Sequence, residues 1–333
     1  MRVLIASHQR YFPDHSGGAA AAIRDRCGQL RPLGVETLVL CRGEGGETLE
    51  DDWEDQPLVR APDPAAALGR CAGSFAPDVV MIEMGGGGAL GAAALGAGLP
   101  IVLFQHDLGL DGRLVHAGAP LLAASKFLAA RVGRLVGRPV AAVGSIVDRD
   151  RYARPERPSG TTVLFVNPIP TKGLYIARDI ARAMPATRFR FRESWPLPGP
   201  AWRDVAAGVG RLPNVELLHA THSTAELYGD IGALLVPSIA EEGWGRVVTE
   251  AQAAGVPVLA SDRGGLPEAT GTGGIVLPLH APTGRWVDAL GLLLGPERGV
   301  WSAAARARAF APDVDPTALA GRLLERLQAA ARR

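Results

Sequence analysis

The sequence predicts an α/β protein with two doubly wound parallel sheets. Short apolar, β-branched runs alternate with Ala- and Leu-rich helical stretches along almost the whole chain, and this alternation restarts after a polar, proline-bearing segment at 147–160. The chain of 333 residues is also long enough for two domains of roughly 150 residues each. Apolar strands bounded by helices are typical of parallel sheets that helices cover on both faces.

The two series of elements predict a first domain at 1–150 and a second at 151–314, followed by a terminal amphipathic helix at 315–333. The acidic run at 44–56 is predicted to be a solvated loop, because like charges repel one another and stay in water. The strands are expected at 2–7, 36–41, 78–84, 100–105 and 140–143 and then at 161–166, 188–191, 215–219, 233–237, 257–261 and 274–278, with helices between them, among others at 19–30, 126–136, 173–184 and 247–254.

The composition argues against several classes of protein. Lys and Arg number 35 and Asp and Glu 34, for a net charge of +1, so no nucleic-acid partner is expected. Cys27, Cys41 and Cys71 are widely spaced and form no CxxC pair, which predicts neither disulfides nor a zinc site and favours a reducing compartment. The N-terminal apolar run is too short for a signal peptide, and glycines and prolines interrupt the other apolar stretches. The expected location is the cytoplasm.

The most informative segment is 241–268, EEGWGRVVTEAQAAGVPVLASDRGGLPE, which follows an apolar strand. Glu242 precedes the predicted helix, and Glu250 is expected about two turns inside it. Gly243 and Gly245 allow the backbone to approach a ligand closely, and the helix start offers unpaired N–H groups to an anion. Taken alone, Glu242 also fits a carboxylate that only stabilises the helix dipole. The whole segment 241–268 suits the binding of a ligand in which a polyol is joined to a phosphate.

This block resembles the E-x7-E signature of retaining glycosyltransferases of the GT-B fold, family 4 (group 1), with Glu242 and Glu250 as the two glutamates. The resemblance implies a GT-B architecture, in which two Rossmann-like domains face each other across a cleft and the terminal helix crosses back to the first domain. It also implies that Glu250 holds the ribose hydroxyls and that Glu242 contacts the transferred sugar. Backbone amides around Trp244 and Gly264-Gly265 would position the sugar and the phosphate.

A weaker resemblance covers most of residues 1–310. Gly17-Gly18 is similar to the family's nucleotide-facing glycine turn, and His106, in VLFQHD, stands where the family has a sugar-side histidine. Lys172, in PTKG, matches a lysine that contacts the donor phosphates. This residue has independent support, because it is one of two lysines among 35 cationic side chains and a compact ammonium before a helix suits a diphosphate.

One position of the donor site departs from the family pattern. Asn167 stands five residues before the lysine, where the family usually has an arginine that also reaches the diphosphate. An amide donates hydrogen bonds but carries no charge, so either Arg192 or Arg263 supplies the missing charge or the donor binds more weakly. A protein that binds a nucleotide-sugar without catalysis becomes an alternative for the same reason.

The resemblance implies hexosyl transfer from a nucleotide diphosphate-sugar, with UDP favoured over GDP, to a hydroxyl of a glycan, a glycolipid or a small molecule, with retention at the anomeric carbon. Glu242, His106 and Lys172 are the candidate catalytic residues. No cofactor and no metal are expected, although Asp148 and Asp150 fit the DxD metal pattern of other transferases. A sugar-nucleotide epimerase of the same fold is a further alternative.

A peripheral contact with a membrane stays open. Arg131, Arg134 and Arg138 are predicted to share one helical face, which anionic lipids would attract. A solvated face is the favoured interpretation, because charged residues on surface helices normally lie in water.

Overall fold

The computed structural model describes residues 1–15, 17–83, 88–109, 118–154 and 160–332. The chain divides into two compact units, the first comprising Met1–Asp148 with Asp313–Arg333 and the second Arg149–Pro312. Each unit contains one largely parallel sheet. The predicted α/β class with two parallel-sheet, Rossmann-like domains is therefore confirmed.

Helices lie on both faces of the two sheets and supply much of the apolar core. None of the helices in the described parts of the chain combines the length and the apolar character that crossing a membrane requires. They are α1 (Gly18–Leu30), α2 (Pro64–Phe75), α3 (Gly88–Gly96), α4 (Lys126–Val136), α5 (Leu174–Ala183), α6 (Gly199–Val209), α7 (Thr224–Tyr228), α8 (Arg246–Ala253), α9 (Leu266–Thr270), α10 (Thr283–Leu294), α11 (Arg298–Ala309) and α12 (Pro316–Ala331).

The sheet of the first unit has eight strands, which are β1 (Arg2–Ala6), β2 (Glu36–Arg42), β3 (Leu49–Trp53), β4 (Gln56–Ala61), β5 (Val79–Glu83), β6 (Ile101–Gln105), β7 (Leu121–Ala123) and β8 (Ala141–Ala142). Their order is β3-β4-β2-β1-β5-β6-β7-β8, and only the β3–β4 pair is antiparallel. The order reverses between β1 and β5. In open α/β sheets, ligands bind outside the carboxyl ends of the strands at such a switch point.

Helices α1 and α12 cover one face of this sheet. Ile23 and Leu30 of α1 and Leu323 and Leu327 of α12 belong to one buried cluster together with β1, β5 and β6. The terminal helix thus packs in the first unit, although it begins at Pro316 and the last strand of that unit ends at Ala142. Helices α2 and α3 pack on the opposite face, where Leu68 and other apolar residues form a second cluster.

The sheet of the second unit has six strands, which are β9 (Thr162–Val166), β10 (Phe189–Arg192), β11 (Val215–Leu218), β12 (Ile231–Val236), β13 (Val258–Ser261) and β14 (Gly274–Leu277). Their order is β11-β10-β9-β12-β13-β14, and every pair is parallel. This order has its switch point between β9 and β12. The core of the unit is aromatic, with Phe165, Phe189, Phe191 and Trp286 buried together.

The prediction of a loop throughout the acidic run at 44–56 is wrong. Leu49–Trp53 forms the edge strand β3, which pairs with β4 and keeps four of its five residues exposed. Glu54 and Asp55 make the two-residue hairpin turn, with φ of 50° and 60°. Positive φ at both positions is the geometry that suits the twist of a hairpin. An edge strand can carry acidic side chains into water while its backbone pairs on one side only.

The prediction that Arg131, Arg134 and Arg138 share one face of α4 is wrong for Arg138. The helix ends at Val136, and Gly137 follows in a left-handed conformation with φ of 68°. Arg138 therefore lies beyond the helix, where its Nη2 donates to the carbonyl of Ala119 at 2.6 Å. The face shared by the three arginines does not exist.

All three cysteines are free and buried. Burial raises the pKa of Cys27 to about 12 and the pKa of Cys41 to about 11, from 9.0 for an ordinary thiol. These thiols keep their protons in the folded chain but lose them near pH 9 once the chain unfolds. Their contribution to stability is complete below pH ~9 and is lost as the pH rises towards the folded pKa values.

We therefore expect the free energy of unfolding in urea to fall between about pH 9 and pH 12. A Cys27→Ala/Cys41→Ala variant should show a shallower fall, since two of the responsible groups are gone. Equal slopes for the two proteins would contradict this assignment.

Candidate functional site

The switch point of the second sheet brings together residues that are far apart in sequence. Lys172 ends a short 3-10 turn, Pro170–Lys172, between β9 and α5. Glu242 lies in the segment between β12 and α8. Both residues therefore follow the carboxyl ends of the two central strands, where the fold places its ligands.

Lys172 and Glu242 form a direct ion pair. Nζ of Lys172 donates to both carboxylate oxygens of Glu242, at 2.6 and 2.8 Å, and Oγ of Ser238 donates to Oε1 at 2.6 Å. The side chains of the lysine and the glutamate are 29% and 13% exposed, so solvent reaches both charges. An ammonium has three N–H groups, which leaves one donor for another acceptor beside this pair.

The backbone fixes the two loops that bear this pair. The carbonyl of Thr171 accepts hydrogen bonds from the amides of Ile239 and Ala240, each at 3.0 Å. Gly173 has φ of 89°, and a Cβ atom there would lie 2.0 Å from the carbonyl oxygen of Pro237. Only a residue without a side chain permits so close an approach, so the lysine loop and the glutamate loop have one relative position.

The two glycine turns of the 241–268 block also pack against each other. Gly264 and Glu242 form an isolated parallel bridge, and the amide of Gly265 donates to the carbonyl of Glu242 at 2.8 Å. A Cβ atom on Gly264 would lie 2.3 Å from that carbonyl oxygen, and one on Gly265 would lie 2.6 Å from the carbonyl oxygen of Gly243. The structure thus gives these glycines a packing role, whereas the sequence suggested a ligand role only.

Glu250 lies one helical turn inside α8, which corrects the expected two turns. The helix begins only at Arg246, because Gly245 adopts a left-handed conformation with φ of 92°. Glu250 is 7% exposed and accepts a hydrogen bond from Oη of Tyr228 at 3.3 Å. Nη2 of Arg246 lies 3.5 Å from Oε1 of the same carboxylate. Burial and this carboxylate raise the pKa of Tyr228 well above its ordinary value.

The side chain of Trp244 is anchored inside the second unit. It is 6% exposed, and its Nε1 donates to Oγ1 of Thr249 at 3.0 Å. A side-chain contact with a ligand is therefore not what this tryptophan provides. Its indole ties the acidic turn to the first turns of α8.

Asn167 has a structural role of its own. Its φ is 59°, a left-handed conformation that asparagine adopts more readily than arginine does. Its amide donates to the carbonyl of Arg192 at 2.8 Å, and its Oδ1 accepts from the amide of Ser194 at 2.9 Å. The residue that departs from the family pattern thus joins the loops that follow β9 and β10.

The two candidate replacement cations point to different places. Nη1 of Arg192 donates to the carbonyl of His219 at 3.0 Å, next to the end of β11. Burial lowers the pKa of Arg192. Nε of Arg263 donates to the carbonyl of Ile239 at 3.0 Å, in the loop that is bonded to Thr171. Arg263 is therefore the candidate that lies beside the lysine loop.

A glutamate–histidine pair in the second unit, with a buried carboxylate and an exposed imidazole, was not predicted from the sequence. Glu193 follows β10, is 3% exposed, and places Oε2 2.9 Å from Nδ1 of His219, which follows β11. The imidazole lies against the indole of Trp202, with ring centroids 4.8 Å apart. The available signal was a polar residue directly after each of two neighbouring apolar strands.

In the first unit, Gly17 precedes α1 and Gly18 is its first residue. A Cβ atom on Gly17 would lie 2.4 Å from Nε2 of His15, so the glycine accommodates that imidazole. Gly17 is the N-cap residue of this helix and, as a glycine, provides no side-chain cap. The backbone amides at the start of α1 have the orientation that an anion would need.

His106 lies directly after β6, at the carboxyl edge of the first sheet. Its Nδ1 is 3.0 Å from Oε2 of Glu83, the last residue of β5, and its side chain is 17% exposed. Glu83 in turn pairs with Arg26 of α1. The sequence pattern pointed to His106 but not to its two partners, although a glutamate within the apolar run DVVMIEM was a visible signal.

Comparison with known proteins agrees with this architecture. Residues 163–295 match the family described as glycosyl transferases group 1. The D-inositol 3-phosphate glycosyltransferase of Nocardia farcinica is 40% identical over 96 residues, which is 28% of this chain and 21% of that protein. The enzyme of the same name from Mycobacteroides abscessus is 38% identical over 98 residues, 28% of this chain and 22% of that protein. The matched stretch spans about a fifth of the length of these curated relatives.

Several solved structures have the same fold over nearly the whole chain. Anabaena HepE in complex with UDP and glucose superposes with a TM-score of 0.79 at 18% identity, covering 99% of this chain and 100% of that one. Sucrose-phosphate synthase from Thermosynechococcus elongatus superposes with a TM-score of 0.79 at 16% identity, covering 99% of both chains. The chain therefore has the GT-B fold of glycosyltransferases, and its residues 163–295 match the group 1 glycosyltransferase family.

Proposed function

We propose that the protein is a glycosyltransferase that moves a sugar from a nucleotide diphosphate-sugar to an acceptor hydroxyl. The observation that carries this proposal is the Lys172–Glu242 pair at the switch point of the second sheet, within the part of the chain that matches the group 1 family. A cation beside a carboxylate, both reachable from solvent, suits a phosphate joined to a polyol.

In this reaction the diphosphate leaves while positive charge develops on the sugar, so the enzyme must stabilise a separated pair of charges. Lys172 takes the departing diphosphate through the N–H that Glu242 does not use. Arg263, whose guanidinium is held beside the same loop, adds the second positive charge that Asn167 does not supply. With these two cations we propose a hexosyl transfer that needs no metal ion.

Glu242 and His106 have the roles that the family resemblance implies, with the carboxylate and the imidazole contacting the transferred sugar. We propose retention at the anomeric carbon, with the departing phosphate removing the proton of the acceptor hydroxyl on the same face. None of the residues assigned to the donor site is an evident nucleophile, which favours this course over a covalent intermediate.

We propose a UDP-sugar as the donor, and UDP and UDP-glucose are the ligands of the Anabaena HepE complexes of like fold. The candidate acceptors are glycans, glycolipids and small molecules. Because the curated relatives are named for D-inositol 3-phosphate, a phosphorylated cyclitol belongs among the acceptors to be tested. The free, buried cysteines fit a reducing compartment such as the cytoplasm.

The function is tested by incubating the full chain with UDP-, GDP- and ADP-sugars and a panel of acceptors, with free nucleotide and glycoside as the readouts. We expect nucleoside diphosphate and a product whose anomeric configuration, by NMR, equals that of the donor. An unchanged rate in EDTA is expected. Binding without turnover would instead indicate a nucleotide-sugar binding protein, and an isomerised donor would indicate an epimerase.

Replacing Glu250 by alanine should weaken UDP binding by roughly ten- to a hundredfold, the loss of a charged hydrogen bond to the ribose hydroxyls. Calorimetric titration with UDP measures the affinity. Glu250→Gln, which keeps the volume beside Tyr228 and Arg246, is the second variant, since alanine also removes their partner. Glu216→Ala, at an exposed position 49% open to solvent, is the control and should bind normally. Normal affinity in both Glu250 variants would remove the residue from the nucleotide site.

A further inference from the structure

We infer that Glu83 is a positioning residue, held by Arg26, that fixes the imidazole of His106 in the tautomer with Nδ1 protonated and presents Nε2 as an acceptor to a substrate hydroxyl. This inference rests on the proposed function in so far as a sugar hydroxyl is the group that His106 meets. The geometry of the three side chains is independent of that function.

The three residues converge at the switch point of the first sheet. Glu83 ends β5, His106 follows the neighbouring strand β6, and Arg26 projects from α1, the helix that follows β1. β1 and β5 are the two central strands, between which the strand order reverses. The carboxylate thus lies where this sheet class places ligands, and it lies beneath the imidazole rather than in solvent.

Burial makes the carboxylate of Glu83 a costly group unless it is paired. The side chains of Glu83 and Arg26 are 1% and 2% exposed. Arg26 Nη2 bonds to Oε1, and its guanidinium lies 4.2 Å from the ring centroid of Phe104. Burial alone would raise the pKa of Glu83, but Arg26 and the bond with His106 hold this pKa below its ordinary value. Glu83 is therefore an ionised carboxylate.

An ionised carboxylate only accepts hydrogen bonds, so the contact of 3.0 Å to Nδ1 of His106 requires a proton on Nδ1. In the neutral imidazole the lone pair is then on Nε2. Among the described residues, the acidic group that lies nearest to Nε2 is that of Asp107, whose Oδ2 is 3.7 Å away, which is longer than a hydrogen bond. Nε2 is thus the nitrogen that can accept from a hydroxyl of a ligand.

Two other described side chains near the imidazole, those of His8 and Gln105, do not compete with Glu83 for Nδ1. His8, after β1, is close enough that burial and then His106 lower its pKa, so it is a neutral neighbour near pH 7. The side-chain amide of Gln105 is bonded to the loop that follows β6. It donates to the Asp107 side chain at 3.1 Å and to the carbonyl of Gly109 at 2.7 Å. Glu83 is the group that orients the ring.

A purely structural role would make Glu83 no more than a counter-ion for Arg26 in the core. The two interpretations differ in the tautomer of His106, which long-range proton–nitrogen NMR reads directly in the 15N-labelled full chain. His106→Gln identifies the signal by its loss. In the wild-type protein we expect a protonated Nδ1 and an unprotonated Nε2 at pH 8.

In Glu83→Gln the carboxamide can either donate or accept, so His106 should become a mixture of tautomers. Transfer should slow on the order of tenfold in kcat, with KM for the donor changed less. Because Glu83→Gln leaves the charge of Arg26 buried and unpaired, Arg26→Met/Glu83→Gln is the second variant. It removes both charges together, and folded protein with a mixed tautomer is expected.

Two matched controls accompany these variants. Glu193→Gln alters the glutamate–histidine pair of the second unit, in which Glu193 is buried and His219 is exposed, so it should change the NMR signal of His219 and leave that of His106 unchanged. Glu216→Gln, at the exposed position already used as a control, should leave the turnover unchanged.

An unchanged His106 tautomer in both Glu83 variants would overturn the inference, and so would a changed tautomer with full turnover. If the wild-type protein transfers no sugar from any of the donors, the proposed function is contradicted instead. The NMR signal would still decide whether Glu83 orients the ring.

Discussion

Replacing Lys172 by methionine should lower kcat/KM for the nucleotide-sugar about ten- to a hundredfold. The change keeps most of the apolar stem of the side chain but removes the proposed charge-assisted hydrogen bond to the departing diphosphate, a kind of bond that contributes about 1.5–3 kcal/mol. That free energy corresponds to roughly this loss of rate. Initial rates of nucleotide release over a range of donor concentrations measure the effect.

Lys172→Arg is the informative companion variant. It keeps the charge but replaces a point donor by a planar fork that does not fit between the Glu242 carboxylate and a phosphate in the same way. We expect a partial loss in this variant. Activity equal to wild type in both variants would remove Lys172 from the donor site.

The pairing of Lys172 with Glu242 makes a second, independent test available. Residues in direct contact show non-additive effects, so Lys172→Met and Glu242→Gln should couple in a double-mutant cycle on kcat/KM. We expect Glu242→Gln alone to slow transfer more than it weakens UDP binding, since the role proposed for this carboxylate is a contact with the transferred sugar. Additive losses would mean that the two side chains act separately despite their contact.

The sequence was sufficient to predict the fold class because apolar strands alternate with helices throughout the chain. Three strands escaped prediction: the acidic edge strand β3, then β4, which contains Pro57 and Arg60 among its apolar residues, and β7, which has three residues. Strands of this kind show too little periodicity to be distinguished from loops. Their positions depend on the neighbouring strands, with which they pair.

The site was predicted in part for a related reason. Lys172 and Glu242 were each named from their local sequence and the family resemblance, but their contact joins residues 70 apart and depends on which strands are central. Glu83 and Arg26 were missed because a buried ion pair carries no local pattern. Only the sheet order brings the end of β5 to the helix that follows β1.

Backbone conformation explains why two interpretations changed. The sequence ascribed Gly264 and Gly265 to ligand approach and Asn167 to a lost phosphate contact. In the structure, these residues have close backbone contacts or a left-handed φ that limit which side chains they can carry. A sequence pattern shows that a residue is unusual, but it does not show whether the backbone or the ligand is the cause.

Gly264 allows this distinction to be measured. Gly264→Ala should lower the free energy of unfolding by about 2–4 kcal/mol, because a left-handed alanine is strained and its Cβ would displace backbone. The φ is 64°, and the Cβ would lie 2.3 Å from the carbonyl oxygen of Glu242. Urea unfolding followed by circular dichroism gives the stability, and the sugar-transfer assay gives the activity.

Gly291→Ala is the matched control, because Gly291 lies in α10 of the same unit with no atom within 4 Å of the added Cβ. That variant should gain about 0.5–1 kcal/mol through its lower unfolded-state entropy and keep full activity. Since the Gly264 bridge holds Glu242, the loss of activity in Gly264→Ala should exceed the loss of UDP affinity. Wild-type stability with impaired UDP binding would return Gly264 to the ligand role that the sequence suggested.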